Sequence, residues 1–124
     1  IYTDRRSEKF NDININNNVE LLWLFPKSKC QYRLKGEAYE IKENKKFWDT
    51  LSENSKATWF WPNPGGKLST RSAYDTPKKL ELPRTFAVIE VKINYVELLK
   101  LERPIHKRCC WSKQKGWNRI DMNP

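Results

Sequence analysis

The chain has 124 residues, and its 24 Lys and Arg against 15 Asp and Glu give a formal net charge of +9 at pH 7. This length predicts one domain with a core of its own and no room for a second. No apolar run approaches the roughly 20 residues that span a bilayer, and the first residues carry no secretory-leader pattern. We therefore expect a cytoplasmic protein whose positive charge attracts phosphate groups, either of a nucleic acid or of a phosphorylated cofactor.

The few cysteines and histidines limit the metal and disulfide chemistry. Three cysteines are an odd number, and two of them, Cys109 and Cys110, are adjacent and therefore poorly placed to bridge each other. With His106 as the single histidine, a closed zinc site would need an unusual ligand set. We expect reduced thiols and no metal site.

The first third of the chain predicts a strand end, a short helix and a buried strand. Residues 2–3 end a strand, and Ser7 can cap a helix that runs to about residue 14 with Phe10, Ile13 and Ile15 on its inner side. Residues 19–25 form a nearly continuous apolar run, which is typical of a buried strand, and a proline ends it.

The middle of the chain alternates in polarity and then becomes helical. Residues 31–41 read as a strand, and the shift of its apolar phase past Gly36 predicts a bulge or bend there. Residues 44–50 predict a helix with Phe47, Trp48 and Leu51 facing inward, and a second helical turn covers residues 53–61.

The remaining sequence predicts a long loop and a closing hairpin. Residues 62–84 are polar and rich in proline and glycine, and residues 86–93 form a strong strand that residues 96–101 follow as another strand or a bent extension. Residues 106–111 and 117–122 read as a hairpin. These segments predict a mainly β fold: a small barrel of five or six strands with two short helices at its edges.

Several motifs, in a fixed order, carry a resemblance to a known family. They are Tyr2-Thr3-Asp4-Arg5-Arg6-Ser7-Glu8-Lys9, Leu24-Phe25-Pro26, Gln31 with Gly36 five residues later, and His106-x-Arg108 followed by Trp117 and Asn123-Pro124. In this order they resemble the FMN-binding split-barrel proteins related to pyridoxamine 5′-phosphate oxidase, over essentially residues 1–124 as a single domain. The stretch at residues 59–65 is similar to a cyanobacterial and plant branch of oxidase-like proteins. By this resemblance, the chain lacks the family's first strands.

The resemblance implies an FMN site between the subunits of a homodimer. Tyr2, Thr3 and Lys9 would hold the ribityl phosphate, where hydroxyls, a cation and the start of a helix also suit an anion, and Ser7 fits the same need. Gln31 and Arg108 of the second subunit would contact the flavin ring. Glu8 stands where the family usually has an arginine, a substitution unfavourable for a phosphate unless Arg5 or Arg6 compensates.

The substrate side of the resemblance is weaker. The helix positions that hold the substrate phosphate in the oxidases read Phe47, Leu51 and Ser55 here, so only Ser55 retains a polar group. The family also binds the substrate through an arginine just before the H-x-R motif, and this chain has Pro104 or Ile105 at that position. Of the substrate-side residues at this motif, only His106 is retained. Oxidation of pyridoxamine phosphate itself is therefore not expected.

Three functions remain open on sequence grounds. The first is a flavin-dependent oxidoreductase of unknown substrate, in which the flavin carries the chemistry and the protein positions it. The second is a non-catalytic flavin binder or a degenerate family member. The third, from a different class, is a basic barrel that binds single-stranded nucleic acid, because lysines and aromatic residues are interleaved along the chain.

Overall fold

The computed structural model describes all 124 residues and is mainly β, with six strands and three short α-helices. The strands are β1 (Tyr2–Asp4), β2 (Asn18–Phe25), β3 (Cys30–Ile41), β4 (Phe86–Lys100), β5 (Lys107–Ser112) and β6 (Ile120–Met122). The helices are α1 (Glu8–Ile15), α2 (Lys45–Asp49) and α3 (Glu53–Ala57), and each lies where the sequence predicts a helical segment. None of the helices is long and apolar enough to cross a membrane.

The chain forms two compact units, which we describe separately. The first unit comprises Ile1–Asn17 and Tyr39–Glu90, and the second comprises Asn18–Ala38 and Val91–Pro124. Strands β3 and β4 each contribute residues to both units. Strand β4 is a single strand of 15 residues, so residues 96–101 extend it and do not begin a new one.

The first unit is built on an aromatic core beside a short strand pair. Strand β1 runs antiparallel to the start of β4, with Thr3 opposite Ala87. Phe86, fully buried at 0% exposure, forms the core with Trp48 and Val88. The helical residues predicted to face inward are packed against this cluster, and Trp59 and Phe60 join them.

Each of the helices α1 and α3 begins where a serine satisfies a free backbone N–H. The Ser7 hydroxyl accepts from the Phe10 N–H at 3.4 Å, and the Ser52 hydroxyl accepts from the Ser55 N–H at 3.3 Å. The predicted start of α1 is therefore confirmed. Its inner face is narrower than predicted: Phe10 is buried, whereas Ile15 is 87% exposed because it lies in the last turn, where the helix ends.

The second unit is an antiparallel arrangement with the strand order β2-β3-β4-β5-β6. Strand β2 pairs with β3 from Asn18↔Glu37 to Phe25↔Cys30, and β4 pairs with β5 from Tyr95↔Ser112 to Lys100↔Lys107. The closing hairpin is present as predicted, with a tight turn in which Gly116 has a φ of 62°.

The apolar strand β2 is not buried, contrary to the sequence prediction. Its side chains from Leu22 to Phe25 are all exposed, and Trp23 retains 61% of its accessible surface. The physical reason is its position, because β2 is the first strand in the order and pairs only with β3. An apolar strand at the edge of one chain is unusual for an isolated molecule.

The β2–β3 pair has no bulge at Gly36, because its register passes through this residue without interruption, with Val19 opposite Gly36. The glycine is needed for a different reason. A Cβ atom there would lie 2.9 Å from the carbonyl carbon of Lys92 on β4, closer than any real Cβ contact.

We expect Gly36→Ala to lower the free energy of unfolding by about 1–3 kcal/mol or more, since backbone and not a flexible side chain would have to move. Urea unfolding monitored by circular dichroism measures this change. Gly65→Ala provides a comparison, because nothing lies within 4 Å of a Cβ there and its cost comes from the positive φ alone. Equal losses in both variants would contradict the close-approach explanation.

Candidate functional site

The segment from β1 into α1 brings three of the predicted site residues together. Thr3 is 5% exposed, and its hydroxyl oxygen lies 3.4 Å from that of Ser7. Tyr2 is partly exposed, and its ring packs against Phe47 at 6.3 Å and Phe86 at 5.6 Å between centroids. This places the strand end and the helix start on the core of the first unit.

Ser7 is committed largely to the backbone. Its hydroxyl donates to the Asp4 carbonyl at 2.7 Å and accepts from the Phe10 N–H. A ligand could accept from this hydroxyl only by replacing the Asp4 carbonyl. Ser7 therefore shapes the helix start first, and a ligand contact comes second.

Lys9 is exposed and, unlike Arg5 and Arg6, makes no ion pair within the chain. It lies in the first turn of α1, the positive end of the helix, where Glu8 also stands. The cation suits an anionic ligand and the carboxylate opposes it. The local charge is thus balanced between the two.

Arg5 and Arg6 are occupied by partners within the chain. Arg5 pairs with Glu40 and donates to the carbonyls of Arg84 and Phe86, the last at 2.7 Å. Arg6 pairs with Asp4 at 2.7 Å and also donates to the Trp61 carbonyl and the Asn63 side chain, each at 3.0 Å.

Both arginines therefore tie the β1–α1 connection to distant parts of the first unit, Arg5 to the strands β3 and β4 and Arg6 to the loop at Trp61 and Asn63. Burial raises the pKa of Asp4, but hydrogen bonds from Arg6 outweigh it and leave that pKa lowered. Burial likewise opposes ionisation of Glu40, whose pKa is nevertheless lowered by Lys42 and Arg5. Neither arginine is available to offset Glu8 without breaking these pairs.

The second unit places Arg108 in a buried ionic network. Glu97 is 7% exposed, and one of its oxygens accepts from Arg108 at 3.1 Å (Nε) and 3.0 Å (Nη2). The other oxygen accepts from the Tyr95 hydroxyl at 2.9 Å. Arg108 lies opposite Leu99, so Glu97 reaches it diagonally across the β4–β5 pair.

This network keeps the Glu97 carboxyl ionised. Burial raises its pKa, but hydrogen bonds from Arg108 and Tyr95 outweigh burial and lower it. Burial raises the pKa of Tyr95, and its hydrogen bond to Glu97 raises it further. Hydrogen bonding to Glu97 also raises the pKa of Arg108. The guanidinium is thus held charged and in one orientation.

Because the folded-state pKa of Glu97 is lowered, its contribution to stability is present above the unfolded value of about pH 4.3 and is lost as the pH falls through the lowered pKa. We expect urea unfolding to show stability falling between about pH 5 and about pH 3, and Glu97→Gln to flatten part of this slope. Glu81→Gln removes an exposed carboxylate without an ion pair and serves as the control. Identical slopes in all three proteins would contradict the role of Glu97.

The remaining predicted site residues, Gln31, His106 and Ser55, do not form hydrogen bonds with the residues described above. Gln31 is half-buried on β3 opposite Leu24, and His106 is exposed before β5 with its Nδ1 3.1 Å from the Glu102 carbonyl. Ser55 is exposed on α3, and its hydroxyl lies 3.0 Å from that of Ser52. None of these side chains contacts another predicted site residue within the chain.

Phe47 on α2 and Leu51 between α2 and α3, which the resemblance aligned with substrate-phosphate ligands, have a structural use. Phe47 and Leu51 both pack against the aromatic core. Their side chains therefore complete the interior of the first unit and offer no donor to a phosphate.

Glu97 was not identified from the sequence, although it is the most buried charged residue. A signal was present in the sequence: Glu97 interrupts the otherwise uncharged stretch of β4 from Tyr95 to Leu99, and a single charge in such a stretch needs a partner. The identity of that partner depends on the strand register, which the sequence does not specify.

Comparison with known proteins places this geometry in a class. Residues 1–42 match the family model described as pyridoxamine 5′-phosphate oxidase, FMN-binding domain. A pyridoxamine 5′-phosphate oxidase-related, FMN-binding protein from Nostoc punctiforme is 24% identical, with a TM-score of 0.84 over 99% of this chain and 71% of that one. PhzG from Burkholderia lata, solved in complex with tetrahydrophenazine-1-carboxylic acid, is 16% identical, with a TM-score of 0.82 over 100% and 67%. No curated protein sequence matches the chain.

The fold is that of the split-barrel, FMN-binding proteins. The predicted resemblance to the pyridoxamine 5′-phosphate oxidase-like proteins is confirmed, in sequence over residues 1–42 and in fold over nearly the whole chain.

Proposed function

We propose that this chain is a single FMN-binding domain that works as a flavin-dependent oxidoreductase on a small molecule. The observation that carries the proposal is the β1–α1 segment, which lies in the region matching the FMN-binding model and joins two hydroxyls, a helix start and the unpaired Lys9. Hydroxyls and one cation at a helix N-terminus suit a phosphate. Bound FMN would supply the hydride and electron chemistry, and the protein would orient it.

Each residue has a defined part in this proposal. Thr3 and Lys9 would hold the phosphate, Tyr2 would flank the ribityl chain, and Ser7 would keep the helix start in place. Gln31 and Arg108 of the second subunit would approach the flavin ring, with Arg108 held by Glu97. Ser55 and His106 would lie on the substrate side.

A homodimer would also explain the exposed strand β2. Its four consecutive apolar side chains, Leu22 to Phe25, are exposed in a single chain, and a second copy packed on them would remove this surface from water. The three free cysteines fit a reducing compartment such as the cytoplasm.

The substrate is proposed to be something other than pyridoxamine phosphate. Phe47 and Leu51 pack in the core, so two of the three positions that hold the substrate phosphate in the oxidases cannot do so here. We expect a substrate whose recognition does not depend on a phosphate at this helix.

An FMN titration of the purified chain, followed by quenching of flavin fluorescence, tests the proposal. We expect saturable binding at micromolar concentration or below, and size-exclusion chromatography with light scattering should give the mass of a dimer. Leu22→Glu should shift this mass toward the monomer. A folded chain that leaves flavin fluorescence unchanged would refute the FMN site.

Glu8→Arg is expected to tighten FMN binding by about tenfold, because a cation replaces an anion beside the phosphate. Lys9→Ala should weaken binding by a similar factor. Lys27→Ala, an exposed lysine in the β2–β3 turn, is the matched control for loss of one charge. Equal weakening by both lysine variants would point to net charge and away from this site.

The alternative of a non-catalytic flavin binder is favoured by one observation, the opposing carboxylate of Glu8 with Arg5 and Arg6 both engaged. Stopped-flow reoxidation of the reduced, FMN-loaded protein in the presence of candidate acceptors separates the two. Turnover faster than that of free FMN supports an oxidoreductase, and reoxidation at the rate of free FMN supports a carrier.

A further inference from the structure

A cleft on the second unit has features of a ligand site, and its walls contain none of the predicted flavin residues. It has a volume of about 660 Å³ and lies between β3, β4 and the turn of the closing hairpin, where β5 ends. This volume is within the range of small-molecule sites. Gln31, His106 and Arg108 are not among its lining residues.

The cleft is lined by positive charge. Three lysines, Lys35, Lys92 and Lys113, contribute to its walls against a single glutamate, Glu37. Lys35 is 3.5 Å from Glu20, and its ammonium lies 5.4 Å from the centre of the Tyr95 ring, which holds it over one wall. The excess of cations favours an anionic occupant.

The hairpin side of the cleft offers hydrogen-bond donors that the fold does not use. The side chains of Asn94, Ser112, Lys113 and Gln114 make no hydrogen bond or ion pair within the chain, and all four can donate. The backbone that presents them is well fixed, since Ser112 accepts from the Trp117 N–H at 2.9 Å and Lys113 from the Gly116 N–H at 3.1 Å.

Two of the three lysines in the other lysine cluster, at residues 42–46, are paired with carboxylates. Lys42 pairs with Glu40 at 2.9 Å and Lys45 pairs with Asp49 at 2.6 Å. Lys35 in the cleft is likewise paired, with Glu20 at 3.5 Å, so the cleft is distinguished by the unused hydroxyl and amide donors beside Lys113. Lys113 in the cleft has no such partner.

We propose that this cleft binds a small phosphate-bearing molecule, with Lys113 and Ser112 contacting the phosphate and the amides of Asn94 and Gln114 accepting or donating to the rest. Oxygen acceptors carrying two or more negative charges match ammonium, hydroxyl and amide donors. The cleft, with a volume of about 660 Å³, has room for a diphosphate or a phosphorylated metabolite.

Pyrophosphate titrated into the purified chain by isothermal calorimetry tests the site. The doubly substituted variant S112A/K113Q removes one hydroxyl and one charge that make no contact within the chain. The matched control is K27Q/S28A, which removes the same two groups from the exposed β2–β3 turn of the same unit. We expect saturable binding that weakens by about tenfold or more in S112A/K113Q and less than about twofold in the control.

The same titration with FMN present separates this site from the proposed flavin site. Pyrophosphate binding that is unchanged by saturating FMN supports an independent cleft. Displacement of FMN by pyrophosphate would place the phosphate at the flavin residues and overturn the inference. Equal weakening in both double variants, or no saturation in the wild type, would overturn it as well.

Discussion

Replacing Phe86 with alanine is expected to lower the free energy of unfolding by about 3–5 kcal/mol, the largest stability loss for any single side chain in the first unit. Phe86 is fully buried, and its ring meets those of Trp48 at 5.2 Å, Trp59 at 4.9 Å and Tyr2 at 5.6 Å. Alanine would leave a cavity among three large rings, which are held by other contacts and cannot collapse into it. Urea unfolding followed by tryptophan fluorescence measures the loss.

Phe86→Ala should also weaken FMN binding if Tyr2 contacts the cofactor as proposed, because the Phe86 ring supports the Tyr2 ring. With its packing surface removed, the Tyr2 ring keeps only Phe47 as an aromatic neighbour. Phe25→Ala on the exposed strand β2 is the comparison, and we expect it to lower stability by less than about 1 kcal/mol in the monomer. A small effect of Phe86→Ala, similar to that of Phe25→Ala, would contradict the assignment of the core.

Arg108→Ala is expected to weaken FMN binding by about ten- to a hundredfold, if the proposed function is correct, because a charge-assisted contact to the flavin would be lost. Glu97→Gln should produce part of this loss without removing Arg108. The neutral amide still accepts a hydrogen bond but no longer holds the guanidinium by charge. Fluorescence titration with FMN measures both variants.

Arg119→Ala is the matched control for this prediction. Arg119 belongs to the same hairpin and also forms an ion pair, with Asp121 at 2.7 Å, but it is exposed and was not predicted to touch the flavin. We expect its affinity for FMN to stay within about twofold of the wild type. If Arg119→Ala and Arg108→Ala weaken binding equally, Arg108 acts through the general charge of the hairpin.

The exposed strand β2 shows how an apolar run can mislead. Residues 19–25 are apolar enough for a strand buried on both sides, yet the single chain leaves them at one end of the strand order. The apolar composition of a strand indicates that its surface is buried, but not whether the same chain or another molecule buries it. In our proposal the covering surface belongs to a second copy.

The sequence also did not predict the ion-pair partners of Arg5 and Arg6 or the close approach of Lys92 to Gly36. Arg5 is 35 residues from Glu40 and 81 from the Phe86 carbonyl that it contacts, and Gly36 is constrained by Lys92 on another strand. These contacts join residues far apart in the sequence, so composition and periodicity do not predict them. The sequence therefore left open whether either arginine could offset Glu8.

The sequence by itself determined the local framework of this protein. Ser7 starts a helix because its hydroxyl caps a free N–H, the long loop follows from its prolines and glycines, and β4 follows from its β-branched alternation. Its ordered motifs were also sufficient to indicate the family. The tertiary structure alone decided which charges are used internally, which apolar strand stays exposed and which glutamate holds Arg108. These depend on strand register and on contacts between residues far apart in the chain, which no local pattern contains.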